Sequence, residues 1–146
     1  MHFTALVATV AAAALPALAA NFDVEVGANN GFVYAPTSIS GAVAGDTITF
    51  TFTSRNHTAT TTTFNDPCTP PAGGFGTGGF DTGFHDTTSG PQVAVITLQD
   101  SDTHFVACRQ AAGAHCHAGM TFAINPTDDQ TYAEFLQNAL NDPVHP

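Results

Sequence analysis

The chain has 146 residues and a formal net charge of −10, because twelve acids, ten of them aspartate, outweigh two basic side chains. The basic residues are Arg55 and Arg109, and there is no lysine. Such an acidic composition argues against nucleic acid, anionic lipid or another polyanion as a partner. The length fits one domain with a single core.

The N-terminus, residues 1–19, predicts a secretory signal peptide. Its apolar run is too short to span a bilayer, and it ends in small residues around Ala17-Leu18-Ala19. Cleavage before Ala20 or Asn21 leaves one expected domain, residues 20–146. The C-terminal NDPVHP has no hydrophobic tail of the GPI type. We therefore expect a secreted, extracellular protein with no transmembrane segment.

Alternating apolar and polar residues predict an all-β fold from Asn21 onward. In FDVEV, residues 22–26, and TITFTF, residues 47–52, every second residue is apolar, as in a half-buried strand. Short strands separated by Gly, Pro and Asp are typical of a β-sandwich. The other strand candidates are Gly31–Tyr34, His57–Phe64, Val93–Leu98, Thr103–Cys108 and Met120–Ile124.

Two further segments complete the predicted architecture. A glycine-rich stretch, about residues 69–91, carries Phe75, Phe80 and Phe84 and is expected to form an ordered loop over the sandwich. The tail, about residues 128–141, is the only passage with helical periodicity and predicts a short C-terminal helix that packs on the sandwich. The expected N-terminal capping residues are Thr127, Asp128 and Asp129.

The run CRQAAGAHCHAGM, residues 108–120, concentrates residues with metal-binding chemistry. With Cys68 the chain has three cysteines, so at most one pair can form a disulfide and one thiol is left over. A free thiol outside the cell tends to be oxidised unless it is buried or bound to a metal. The odd cysteine count therefore indicates a metal-bound or buried thiolate.

One thiolate, two imidazoles and a thioether suit copper in both of its common oxidation states. Cys108, His115 and Met120 supply three of these ligands near the junction of two predicted strands, and His57 is the candidate for the second imidazole. Zinc also accepts Cys and His, but it gives no reason for Met120 at this spacing.

Three motifs resemble those of cupredoxins, and among these the plant phytocyanins and related fungal secreted proteins. They are N-H-T at residues 56–58, F-x-x-P-C at residues 64–68, and H-C-x-x-G-M followed by T-F-A-I-N at residues 115–125. The resemblance implies a Greek-key β-sandwich and one type 1 copper. It further implies the ligands His57, Cys108, His115 and Met120 and a disulfide between Cys68 and Cys116.

Several alternatives remain at this site. Cys108 could pair with Cys68, which would leave Cys116 as the free thiol, and His117 could replace His115 as a ligand. The six residues RQAAGA between Cys108 and His115 form a longer interval than in most cupredoxins, so either the ligand loop is enlarged or the geometry is altered. Asn56 heads a glycosylation sequon, but we expect it to stay mostly unglycosylated and to hydrogen-bond to the other ligand loop.

The function favoured by these residues is that of a mononuclear type 1 (blue) copper protein, a monomer that transfers single electrons to an unidentified redox partner. The alternative is an extracellular copper-binding or cell-surface interaction protein without redox turnover, whose partner would be a cell-surface component. Enzymatic activity is not expected. A multicopper oxidase would need more His-x-His pairs and a longer chain, and a copper monooxygenase would need a histidine at the mature N-terminus.

Overall fold

Ten short strands and two α-helices form the part of the chain described by a computed structural model, residues 18–143. The strands are β1 (Asn21–Val26), β2 (Tyr34–Ala35), β3 (Ser38–Ile39), β4 (Thr47–Phe52), β5 (Asn56–His57), β6 (Thr60–Thr62), β7 (His85–Asp86), β8 (Gln92–Thr97), β9 (His104–Ala107) and β10 (Thr121–Ile124). The helices are α1 (Ala114–His117) and α2 (Tyr132–Asn141). The predicted signal peptide lies outside the described residues except for Leu18 and Ala19, and His145 lies outside them as well.

Two four-stranded sheets form the sandwich. The first has the order β2-β1-β4-β8, in which β1 and β4 run parallel with Asn21 opposite Thr47 and Val26 opposite Phe52. The second has the order β3-β10-β9-β6, and β5 pairs with β7 in a separate ribbon. The all-β fold with a short C-terminal helix is therefore confirmed. In the described residues, no helix is long and apolar enough to cross a membrane.

The main core lies between the sheets and follows the alternation seen in the sequence. Ile48, Phe50 and Phe52 of β4 are fully buried, whereas the threonines between them are partly exposed. Tyr34 and Phe122 pack on Phe50 with ring centroids 6.4 and 5.8 Å away. Burial of each such side chain contributes about 1.5–3 kcal/mol to folding, so this cluster supplies much of the driving force.

Helix α2 begins one turn later than predicted. Its N-cap is Thr131, whose side chain accepts a hydrogen bond from the Glu134 N–H at 3.2 Å, while a Glu134 carboxylate oxygen accepts from the Thr131 N–H at 3.2 Å. This reciprocal capping box satisfies two of the free N–H groups of the first turn. The predicted capping residues 127–129 lie before the helix, where the Gln130 N–H donates to the Thr127 carbonyl at 3.3 Å.

Strand β9 is buried on both faces, and His104 is one of its buried residues. Phe105 packs on Phe135 of α2, with ring centroids 4.6 Å apart, so the next residues along the strand face the other way. His104 therefore shares a face with Val106 and Cys108. It is 7% exposed and bonds the Asp100 carboxylate at 2.7 Å.

Only one of the three phenylalanines in the glycine-rich segment packs against the main core. Phe80 lies 6.0 Å from Phe50 between ring centroids, and the Thr61 N–H donates to the Phe80 carbonyl at 2.8 Å. Phe75 and Phe84 are 39% and 48% exposed. The segment is therefore attached at Phe80 and through β7.

Candidate metal centre

His57 is fully buried at the end of β5. Its space depends on Gly27, which has a left-handed backbone with φ of 84°. A Cβ at this position would lie 2.6 Å from Ser54 Oγ and 3.1 Å from His57 Cδ2. Only glycine combines this φ with such a close approach, so Gly27 fixes the room available to the imidazole.

Cys108 follows β9 and is the free cysteine of the chain. The Thr58 N–H donates to Cys108 Sγ at 3.4 Å, and the Arg109 N–H donates to Thr58 Oγ1 at 3.1 Å. Thr58, which follows His57, and Arg109, which follows Cys108, thus connect the two ligand segments. The Thr58 carbonyl in turn accepts a hydrogen bond from the buried Tyr34 hydroxyl at 2.5 Å.

His115 lies on the short helix α1, which the sequence did not predict. The interval RQAAGA turns through three residues with positive φ, Ala111, Ala112 and Gly113, before the helix begins. The backbone then returns to the core because the Met120 N–H donates to the His115 carbonyl at 3.0 Å. The Cys108 N–H donates to the Met120 carbonyl at 3.2 Å. Met120 is fully buried in the same core cluster as Cys108.

The donor atoms of His57, Cys108 and His115 form a compact triangle. The two Nδ1 atoms are 3.1 Å apart, and Cys108 Sγ lies 3.7 Å from His57 Nδ1 and 3.6 Å from His115 Nδ1. Metal–nitrogen bonds of about 2.0 Å and a metal–sulfur bond of about 2.3 Å span such distances when they diverge by roughly 100–120°. One metal ion fits this triangle, and in the described part of the chain it is the group of three donors close enough to share one.

The protonation states of the triangle suit a cation. Burial, then the neighbouring His115 and Arg55, lowers the pKa of His57 to about 4, and burial with Arg55 also lowers the pKa of His115. Both imidazoles are therefore neutral at neutral pH and can coordinate through nitrogen. Burial raises the pKa of the Cys108 thiol although the Thr58 hydrogen bond opposes this, so metal binding must release its proton.

Phe32 packs on His115 and Arg55 lies over Phe32, contacts that the sequence reasoning missed. The rings of Phe32 and His115 are 4.2 Å apart between centroids and tilted by 34°, and the Arg55 guanidinium carbon lies 4.9 Å from the centroid of Phe32. Phe32 also meets His57 edge-on at 6.3 Å. The signal that could have found Phe32 is an aromatic residue in a turn rich in Gly and Asn, residues 27–32.

Cys68 and Cys116 are joined by a disulfide with an S–S distance of 2.07 Å. Cys116 directly follows His115, so the bridge fixes the helix that carries this imidazole. The alternative pairing of Cys68 with Cys108 does not occur. His117 lies outside the donor triangle, beside a separate cleft lined by Cys68, Arg109 and Gly113.

Asn56 does not make the hydrogen bond expected of it. Its side-chain oxygen is buried without a hydrogen-bond partner among the described residues. Asn56 lies opposite Asp86 in the β5–β7 ribbon, whereas Thr58 follows the end of β5 and lies against Cys108. The connection between the ligand segments is therefore made by Thr58, two residues further along the chain.

No protein-family model matches the chain. It is 31% identical over 142 residues to an extracellular serine-rich protein of the fungus Arthroderma benhamiae, an alignment that covers 95% of this chain and 52% of that protein. The chain thus spans about half the length of this curated relative.

Solved structures define the fold class. A purple cupredoxin from Nitrosopumilus maritimus superposes with a TM-score of 0.51 at 11% identity, covering 73% of this chain and 99% of that one. Pseudoazurin from Hyphomicrobium denitrificans superposes with a TM-score of 0.50 at 20% identity, covering 86% and 100%. The chain has the cupredoxin fold. The His57, Cys108 and His115 triangle with Met120 buried beside it has the ligand types of a type 1 copper centre.

Proposed function

We propose that this protein is a secreted, mononuclear type 1 copper protein that carries single electrons, related to phytocyanin-like fungal cupredoxins. The observation that carries the proposal is the donor triangle, two imidazole nitrogens and one thiol sulfur within 3.7 Å of each other on a cupredoxin fold. His57, Cys108 and His115 would hold the copper, with Met120 as the weak axial ligand. Extracellular location is supported by the apolar leader and by the curated relative.

Copper bound here would supply a one-electron couple, and the residues of the chain would keep the cost of its redox change low. Thr58 holds Cys108 through its N–H, the disulfide holds α1, and Gly27 fixes the room around His57. Because the ligands are held by the fold, little rearrangement accompanies a change in charge. Of the four ligand residues, His115 is the one that is partly exposed, so it would connect the copper to the surface beside Phe32. Such a protein is an electron carrier and not an enzyme.

The test is to load the chain with Cu(II) and record its visible spectrum. We expect an intense sulfur-to-copper charge-transfer band that is lost in Cys108→Ala and strongly altered in His115→Ala. His117→Ala is the matched control, because His117 lies on the same helix but outside the triangle, and it should keep the band. A colourless protein after copper loading would refute the proposal.

Redox turnover needs a separate measurement. Ascorbate should reduce the copper-loaded protein and bleach the band, and hexacyanoferrate(III) should restore the band to its full intensity over repeated cycles. A protein that binds copper with the expected band but does not regain the band on reoxidation would instead be a copper-binding protein without electron transfer.

A further inference from the structure

The few cations of this acidic chain are placed unevenly. Its two basic side chains, Arg55 and Arg109, both lie next to ligand segments: Arg55 two residues before His57, and Arg109 directly after Cys108. Each guanidinium lies over an exposed phenylalanine, Arg55 over Phe32 at 4.9 Å and Arg109 over Phe84 at 4.5 Å. The end of the molecule that holds the donor triangle is therefore the place where positive charge occurs.

The two arginines differ in how their charge is used. Arg109 is neutralised by Asp81, with 2.8 Å between Arg109 Nη2 and Asp81 Oδ2. Arg55 forms no ion pair within the described residues 18–143, although Asp86 lies across the β5–β7 ribbon from the adjacent Asn56. Arg55 is exposed, so its charge is available to a partner.

Arg55 is also held in place. Its Nε donates to the Asn30 carbonyl at 2.8 Å, which orients the guanidinium over the Phe32 ring. Its own carbonyl accepts from the Thr87 N–H at 2.9 Å and from Thr87 Oγ1 at 2.8 Å. A cation that is already ordered loses little conformational entropy on binding, so it is a better anchor than a mobile surface arginine.

Arg55, Phe32 and His115 form a continuous stack from solvent to the donor triangle. Phe32 is 39% exposed and its ring centroid lies 4.2 Å from that of His115 and 4.9 Å from the Arg55 guanidinium carbon. This Arg55 stack combines one fixed positive charge with an exposed apolar ring, directly above an imidazole that would bind copper.

We propose that the Arg55 stack is the docking surface for a protein partner that presents a carboxylate beside a small apolar contact. This inference rests on the proposed electron-transfer function, since it names the surface through which the partner is met. The two terminal nitrogens of a guanidinium match a carboxylate in a paired, planar arrangement. An extended polyanion is disfavoured, because Arg55, the one arginine without an ion pair among residues 18–143, cannot offset the repulsion from a chain of net charge −10.

The experiment uses the redox-inert trianion hexacyanocobaltate(III) as a probe of anion binding. The full chain, labelled with ¹⁵N, is titrated both metal-free and loaded with Cu(I), which is diamagnetic. We expect amide shifts centred on residues 30–32, 55 and 115, with affinity that falls as salt is added. Arg55→Gln should weaken binding about fivefold or more, because it removes the charge in contact with the anion. Arg55→Lys should restore part of the loss.

Gln99→Glu is the matched control. It lowers the net charge by one, as Arg55→Gln does. Gln99 is exposed and lies just after the end of β8 at Thr97, so it is at the far end of the first sheet from Val26 and Gly27. We expect its affinity for the anion to change less than twofold. Equal losses in the two variants, or shifts centred on Arg109 and Phe84, would overturn the inference.

A kinetic arm separates this inference from the proposed function. Oxidation of the Cu(I) protein by hexacyanoferrate(III) should slow about fivefold in Arg55→Gln and stay within twofold in Gln99→Glu. If copper binds and cycles but both variants react alike, the docking surface is wrong and the electron-transfer function stands. If copper does not bind while the titration of the metal-free chain gives the expected shifts, the docking surface stands and the function is wrong.

Discussion

Removal of the Cys68–Cys116 bridge should cost the metal-free protein about 4 kcal/mol of unfolding free energy. The two cysteines are 48 residues apart in sequence. In the chain-entropy treatment, a loop of this length restricts the unfolded chain by about 14 cal/mol/K, which gives about 4 kcal/mol at 25 °C. Removing the bridge acts by giving the unfolded chain more conformational entropy, so the double variant Cys68→Ala, Cys116→Ala should have the same fold.

The measurement is urea denaturation followed by far-ultraviolet circular dichroism. In a thermal melt, the same loss of about 4 kcal/mol corresponds to a fall in midpoint temperature of roughly 15 °C for a domain of this size. The denaturant dependence of the free energy, the m-value, should rise because the unfolded chain without the bridge exposes more surface. Cys108→Ala is the control, since it removes a buried thiol and leaves the bridge in place.

A loss below about 1 kcal/mol with an unchanged m-value would refute this reasoning. It would mean that the unfolded chain is already compact around these residues, so that closing the loop restricts little. Both cysteines are buried with Ala107 and Ala139, so a small packing loss is expected on top of the entropic term.

Three further predictions concern the surroundings of the donor triangle. Because the pKa of His57 is about 4 in the fold and about 6.5 in an unfolded chain, the unfolded state takes up the proton first as pH falls. The metal-free protein should therefore lose about 2.5 kcal/mol between pH 7.5 and pH 4.5 from this group, and His57→Gln should show a correspondingly smaller loss in urea denaturation. Tyr34→Phe removes the hydroxyl that donates to the Thr58 carbonyl, so the unfolding free energy should fall by about 1–2 kcal/mol. The copper band should also shift, because the Thr58 N–H donates to Cys108 Sγ. An unchanged band would show that Tyr34 does not act through Thr58 on Cys108. Ala111→Gly should be neutral or stabilise by up to about 1 kcal/mol, since Ala111 has φ of 55°, and a clear destabilisation in thermal melts would contradict this strain.

The strands that the sequence predicts well are those whose burial alternates over six residues. In β4 the pattern of buried Ile48, Phe50 and Phe52 appears directly in the sequence TITFTF, because one face of the strand meets the core. The strands β2, β3, β5 and β7 have two residues each, too few for any period to show. They form because longer strands and loops place their backbones side by side. Their pairing therefore depends on residues far along the chain and not on a local pattern.

The same division holds at the site. The residue types of the donor triangle can be read from the sequence because the chemistry of copper selects Cys, His and Met. The contacts that position these side chains cannot be read from the sequence. The Thr58 N–H meets Cys108 Sγ, and Phe32 stacks on His115, across long separations in sequence. Thr131 could have been identified as the N-cap from T-x-x-E, but the acidic pair at Asp128 and Asp129 looked equally suitable.

The long interval RQAAGA also has a structural explanation. The loop is closed at its base by backbone hydrogen bonds from Cys108 to Met120 and from Met120 to His115. The inserted residues lie to one side of this base: Ala111 and Ala112 are exposed, and Gly113 packs so closely on the Cys68 carbonyl that a Cβ would lie 2.8 Å from its oxygen. The enlarged loop therefore extends over the disulfide and leaves the distances within the donor triangle short. Loop length and donor geometry are independent here because the Cys68–Cys116 bridge, and not the loop itself, fixes the position of His115.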